Sequence, residues 1–214
     1  MRGMKRLTRA EQNERNRDLV LEAARRVFLD RGYHAATVEE IADEAGFSRG
    51  VVYSRFGTKA DMFLALLADR IAERAAQNAA AAGKPADTGL SELHELASRT
   101  ELASPGWRVL VTEFRVHAAR DPELSRRYAA AHAATVDGVA SAVAAAAERD
   151  GHVLAVPARQ LAELLLAVET GLALEALADP GAVGFGQLPP VLGELAGLLA
   201  GSPVPAGVAE AGQP

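Results

Sequence analysis

Three features of this 214-residue chain predict an all-α fold. Apolar residues recur at i, i+3, i+4 and i+7 through most of its length, while the alternating Val/Ile/Thr pattern of strands is nearly absent. Thr stands three positions before an acidic residue at Thr8/Glu11, Thr37/Glu40 and Thr58/Asp61, the capping-box spacing in which side chains satisfy the orphan donors of a helix start. Ala and Leu dominate and aromatics make up only 5% of the residues, a composition suited to helices packed on helices.

The first helix is expected from Thr8 to about Arg31, with Val20, Ala24, Val27 and Phe28 as its apolar stripe, Tyr33 just beyond, and Gly32 as its end. Thr37 opens a short helix with Val38, Ile41, Ala42 and Ala45 on one face. Gly46 falls where the turn needs positive φ, and Ser48 stands at the N-cap position of a third helix running to Phe56. Phe47, Val52 and Phe56 are expected to bury together, leaving Arg49, Gly50, Val51, Tyr53, Ser54 and Arg55 on the opposite face. Two short helices meeting at a Gly turn read as a helix-turn-helix, whose second helix enters the DNA major groove. Thr58 and Asp61 start a long helix through about Ala82, with Met62, Phe63, Leu66, Leu67 and Ile71 apolar.

Gly83 to Gly89 reads as a loop and hinge from its Gly, Pro and Asp content. Further helices are expected at about 90–102, 107–120, 123–149, 157–178 and 188–200, separated by Pro- and Gly-containing breaks. Asp121 before Pro122 is an N-cap followed by Pro at the first helical position. The last dozen residues lack a periodic apolar pattern and are expected to be a disordered tail over 202–214.

The net charge of −5 conceals a division. Residues 1–75 hold 14 Lys/Arg against 12 Asp/Glu, and the remainder holds 9 against 16, so affinity for nucleic acid has to come from the N-terminal part. Arg2, Lys5, Arg6 and Arg9 form an acid-free N-terminus, either a solubilising tail or an arm that touches DNA. The absence of Cys excludes a disulfide framework and thiolate chemistry and fits a reducing, cytoplasmic setting. No apolar signal-peptide core is visible near the start. The most apolar run, Leu161 to Leu177, is interrupted by Glu163, Glu169 and Glu175 and falls short of the ~18 apolar residues of a membrane span, so no membrane partner is expected. The five His show no i, i+4 pair or metal-ligand spacing, and no phosphate loop, nucleophile elbow or paired-carboxylate motif appears. No metal, no cofactor and no enzymatic activity are expected.

With FLDRGYHAATVEEIADEAG, then FSRGVVYSRFGTK, then ADMFLALL in view, residues from about 14 to 63 resemble the DNA-binding domain of the TetR (tetracycline-repressor-like) transcriptional regulators. The resemblance implies that Thr37, Ser48, Tyr53 and Lys59 lie where phosphate contacts are made, and that Arg49, Gly50, Val51 and Ser54 face the bases. Ser54 departs from the large residue common in the family and Arg55 from its common His, which leaves operator sequence unread. The residue chemistry is compatible: Lys59 begins a helix whose positive end favours phosphate, and hydroxyls on Thr37, Ser48 and Tyr53 can bond phosphate oxygens. Arg49 suits bidentate guanine recognition, and Val51 suits a thymine methyl. Against these stand plainer roles: caps for Thr37 and Ser48, partial core for Tyr53, and for Arg55 a solvated charge rather than a phosphate contact.

HAARDPELSRRY and LLLAVETGLALEALADP resemble, less specifically, the C-terminal ligand-binding domain of the same family. This implies a helical bundle enclosing a small-molecule pocket and a homodimer formed through the helices at 157–178 and 188–200. Pocket candidates are Trp107 and Phe114 as walls and Glu113, His117 and Glu169 as polar contacts, although aromatics at helical spacing also serve as plain core and such polar groups also face solvent or a dimer partner. The expected division is a basic flexible arm at 1–12, a helix-turn-helix domain at 13–60, a ligand-binding and dimerisation domain at 61–201, and the tail. The expected function is a regulator, most simply a repressor released from a palindromic DNA operator by a small-molecule ligand. The alternatives are a helical small-molecule binder or enzyme, and a DNA-binding regulator answering to a protein partner.

Overall fold

A computed structural model describes residues 8–82, 105–149, 152–179 and 200–203. In chain order these form α1 (Arg9–Ala35), α2 (Val38–Ala45), α3 (Arg49–Phe56), α4 (Lys59–Ala82), α5 (Pro105–Ala118), α6 (Pro122–Arg149), β1 (His152–Leu154), α7 (Ala158–Ala178) and β2 (Ala200–Pro203). The all-α class holds, with one addition that periodicity did not signal. β1 pairs antiparallel with β2, His152 opposite Pro203 and Leu154 opposite Ala200 across a bulge. Ala200 to Pro203 are therefore extended, where the sequence suggested a helix end and the start of a structureless tail. Three- and four-residue strands are too short to carry an alternation, and their pairing is long-range. The residues of the expected hinge at 83–89, the helix at 90–102, most of the helix at 188–200 and the far tail lie outside the described residues, as do Arg2, Lys5 and Arg6.

The helix starts form as their caps dictate. Thr8 and Glu11 exchange backbone–side-chain hydrogen bonds (2.7 and 3.2 Å), and Thr37 and Glu40 do the same (3.0 and 3.2 Å). Thr58 and Asp61 complete the set with both bonds at 3.0 Å. Asp121 Oδ1 accepts from the amides of Glu123 and Leu124 ahead of α6. Gly32 adopts φ 74° and ψ 169°, breaking helical geometry in α1 where the sequence ends that helix, so residues 33–35 form a short separate turn.

The chain divides into two compact units, Met1–Ala72 with Val109–Ala131, and Glu73–Arg108 with His132–Pro214. The first gathers Val20, Leu21, Ala24 and Phe28 of α1, Ile41 and Ala42 of α2, Val52 of α3, and Met62, Phe63, Leu66 and Leu67 of α4 into one core. Leu110 and Phe114 of α5 and Leu124 and Tyr128 of α6 are buried in the same unit. An Arg17–Asp69 pair with two 2.8 Å bonds ties α1 to α4, and Arg127–Asp61 at 2.6 Å ties α6 to α4. In the second unit Trp107, Val136, Val143, Ala147, Leu161 and Ala162 are buried. By length and composition alone α6 would pass for a membrane-crossing helix, a consequence of its run of alanines.

Candidate nucleic-acid interface

The turn between α2 and α3 follows from Gly46, which caps α2 at φ 72° and donates to Ala42 O. A Cβ at Gly46 would meet nothing within 4 Å, so conformation rather than space demands glycine there. Val52 is the single fully buried residue of α3 and anchors it to the core. Phe47 and Phe56, expected to bury with Val52, are only half-buried. Their rings lie at the two ends of an eight-residue helix, where too little protein surrounds them to close over both. The remaining surface of α3 faces outward, with Val51 41% and Tyr53 43% exposed and Gly50 and Ser54 also open. Tyr53 is thus not core.

Hydrogen bonding sorts the other candidates. Thr37 keeps its predicted cap: its hydroxyl accepts from Glu40 N–H and donates to Glu40 Oε2 at 3.0 Å. Ser48 has the extended backbone of an N-cap, but its side chain makes no capping bond, which corrects the cap expected from sequence. Its carbonyl alone closes the first turn, accepting from Val51 and Val52 N–H at 3.0 and 3.2 Å. Ser54 Oγ donates to Val51 O at 2.9 Å. Arg55 is more than a solvated charge. Its guanidinium donates to Asn13 O at 2.6 Å and to Asn13 Oδ1 at 3.4 Å, tying the end of α3 to α1. Arg49, with a side chain 63% exposed, forms an ion pair with Glu39 of α2.

Lys59 requires the largest revision. Its ammonium donates to Tyr33 O (2.7 Å), Ala36 O (2.9 Å) and His34 O (3.1 Å) and sits 4.7 Å from the centre of the Tyr33 ring. All three donors are spent on the carbonyls at the α1–α2 corner, where Gly32 interrupts α1 and leaves those acceptors without helical partners. The side chain is a clamp inside the head formed by α1 to α4 rather than the phosphate anchor expected from sequence. Burial pulls its pKa below the ordinary lysine value.

Tyr33, at 2% exposure, is the hub of this corner. Its ring lies 5.0 Å from Phe114, 5.5 Å from Phe63 and 5.8 Å from Phe28. Burial, reinforced by the charge of Asp61, pushes its phenol up to about 12.

Three of the five pocket candidates belong to the same corner. Glu113 Oε2 accepts the Tyr33 N–H at 2.6 Å, in the space left by the missing side chain of Gly32. Phe114 is fully buried and stacks on Phe63 at 4.2 Å, and the His117 ring lies 5.0 Å from Tyr33 and 5.5 Å from His34. Their partners are residues of the head, so a shared role as pocket contacts is not supported. A carboxylate one turn before a histidine looked like a ligand pair only because the distant chain they meet was out of view. Trp107 (4% exposed) and Glu169 lie in the other unit, where Glu169 pairs with Arg108 at 2.8 Å, both side chains under 20% exposed. Among the described residues no group of three or more His, Cys, Asp or Glu is arranged for a metal ion. Sequence reading missed Tyr33 as hub, Glu113 as acceptor for α1 and Glu39 as partner of Arg49. Only Gly32, already marked as a helix end, pointed toward the first two.

Residues 20–66 match the family of bacterial regulatory proteins described as tetR, and residues 85–199 match the C-terminal region of the BetI-type transcriptional repressors. The HTH-type transcriptional activator FasR of Mycolicibacterium smegmatis is 48% identical over 65 residues, covering 30% of this chain and 29% of FasR. The HTH-type transcriptional repressor AcnR of Corynebacterium efficiens is 42% identical over 66 residues, covering 29% and 35%. The match thus spans about a third of these relatives' lengths. FadR from Bacillus subtilis, solved with stearoyl-CoA, superposes with a TM-score of 0.64 at 16% identity, covering 86% of this chain and 97% of that one. A protein from Saccharomonospora viridis, solved with choline, does so with a TM-score of 0.67 at 22% identity, covering 85% and 95%. At these identities the structural likeness shows the fold alone.

Proposed function

The chain belongs to the TetR family of bacterial regulatory proteins, and on that premise we propose that it is a cytoplasmic, homodimeric, sequence-specific DNA-binding transcriptional regulator. Its simplest mode is repression, relieved when a small molecule binds the C-terminal unit. The observation that carries the reading is the outer surface of α3. Arg49, Gly50, Val51, Tyr53 and Ser54 are exposed on a short helix held by the single buried anchor Val52, and α3 carries no acidic residue. A protruding helix of this kind fits the major groove, with Arg49 directed at a guanine edge and Val51 at a thymine methyl. Ser48 and Tyr53 supply hydroxyls to the flanking phosphates, while the Thr37 hydroxyl stays committed to its Glu40 cap, and the first amides of α4, at Lys59 and Ala60, take the phosphate role that the Lys59 side chain cannot.

A dimer is supported by α7. Leu164, Ala167, Gly171, Leu174 and Ala178 are all exposed and recur at three- and four-residue spacing, an apolar seam along one helix. A Cβ at Gly171 would meet nothing within 4 Å in its own chain, so a glycine in this mid-helix position fits close approach by a second copy. The ligand reading is supported by the BetI-type match over the C-terminal half and by neighbours of the same fold solved with choline and with stearoyl-CoA. Within that half, Trp107 and the Arg108–Glu169 pair are the candidates for its contacts.

The test is selection of bound duplexes from a random DNA pool. A palindromic consensus, lost on Arg49→Ala or Tyr53→Ala in gel-shift titration, is the expected result. Unchanged affinity in both variants would refute the α3 assignment. Leu174→Glu is expected to convert the dimer to monomer in sedimentation equilibrium, and release of bound operator by candidate ligands then tests the effector role.

A further inference from the structure

We infer that Glu39 is a specificity-determining positioning residue, one that holds Arg49 for a base edge and keeps it off the DNA backbone. The inference rests on the reading of α3 as the base-facing helix. Glu39 lies in the first turn of α2, Arg49 is the first residue of α3, and the two form an ion pair across the turn. Glu40 cannot substitute for it. That carboxylate is committed to the Thr37 cap and lies 3.8 Å from Arg31. Nor does α3 offer another mobile cation, since Arg55 is tied to the Asn13 carbonyl at the far end of the helix. Arg49 is therefore the cation of α3 whose guanidinium is held by a carboxylate rather than by the main chain, and Glu39 controls it.

The chemistry of the pair discriminates between modes of binding. A guanidinium carries five N–H donors in a rigid fork, so engaging Glu39 through Nη2 leaves donors for the O6 and N7 of guanine. The Glu39 carboxylate can itself accept from the N4 amino group of a cytosine in an adjacent pair. Toward a phosphate, the same carboxylate is repelled and competes for the guanidinium. Random DNA is bound chiefly through phosphates, so Glu39 penalises that mode and spares the base-reading one. With side chains 63% and 40% exposed, the pair contributes little to stability, and its removal leaves the fold in place.

The experiment compares wild type, Glu39→Gln, Arg49→Ala and the double variant by fluorescence anisotropy, on the selected operator and on a random duplex, across a salt series. Glu39→Gln is expected to tighten random-duplex binding roughly three- to eightfold near 0.1 M salt. Its log–log salt slope should steepen by about 0.9, the value for one added phosphate contact. The ratio of operator to random affinity should fall at least threefold. On the Arg49→Ala background the same substitution should keep only the smaller gain from removing the carboxylate's own repulsion of phosphate, because most of the effect passes through Arg49. An unchanged affinity ratio in Glu39→Gln, or an equal gain on the Arg49→Ala background, overturns the inference. Should Arg49→Ala alone leave operator affinity intact, the base-facing assignment of α3 fails instead, and the two failures are told apart.

Discussion

Replacing Lys59 by Met keeps the length of the side chain and removes its charge, which separates a clamp from a phosphate anchor. Three main-chain carbonyls at 2.7, 2.9 and 3.1 Å lose their donor, and the Tyr33 ring loses a cation 4.7 Å from its centre. Hydrogen bonds to a charged group contribute about 1.5–3 kcal/mol each when well buried. The ammonium is only partly covered, so water reaches some of the freed carbonyls and the three together are worth about one such bond. Adding about 0.5–1 kcal/mol for the ring contact gives a loss of about 2–3 kcal/mol. For a chain of this size that lowers Tm by about 5–10 °C. The assay is urea and thermal unfolding followed by far-UV circular dichroism at one fixed protein concentration, because the proposed dimer would couple stability to concentration. Lys59→Arg is expected to rescue little, since a planar fork does not fit three carbonyls converging on one point. A Lys59→Met protein as stable as wild type but deficient in operator binding would refute the clamp and restore the phosphate role.

Three further outcomes follow from the same corner and from α3. Gly32→Ala should destabilise the head by about 1–3 kcal/mol in urea denaturation, since a side chain there meets φ 74° and a Glu113 oxygen 2.9 Å away. Tyr33 should remain protonated when exposed tyrosines have ionised, detectable as a delayed phenolate absorbance change. Its folded pKa is raised, so its stabilisation is complete below the unfolded value near 10 and is lost as pH climbs toward about 12, a loss of about 2–3 kcal/mol. Gly50→Ala should raise stability by about 0.5–1 kcal/mol, because a Cβ at Gly50 meets nothing within 4 Å and alanine favours the helix. The same variant should weaken operator binding in gel shifts if α3 lies close against DNA at that position.

The helix starts were legible because a capping box is written in four consecutive residues. Thr8, Thr37 and Thr58 all make the bonds their spacing implies. Gly32 and Gly46 were legible for a similar reason, each being the one residue type that accepts its backbone angle without strain. Fates of side chains that reach across the fold were not legible. Arg55 and Lys59 both looked available for DNA, yet each found backbone carbonyls 42 and 23 to 26 residues away. Glu113 and His117 looked like ligand contacts, and their partners lie some 80 residues earlier, at Tyr33 and His34.

By itself the sequence determined the helices, their caps, the Gly-hinged turn and the outward face of α3, because propensity, capping and periodicity act over a few neighbouring residues. Tertiary structure alone decided which polar side chains stay exposed on α3 and which are consumed by contacts among α1, α2 and α4. It also decided that Tyr33, unremarkable in sequence, becomes the centre on which Phe28, Phe63, Phe114, Lys59 and Glu113 converge. The physical reason is that a charged or polar group satisfies itself with whatever acceptor the fold brings near, and the chain that supplies that acceptor is distant in sequence.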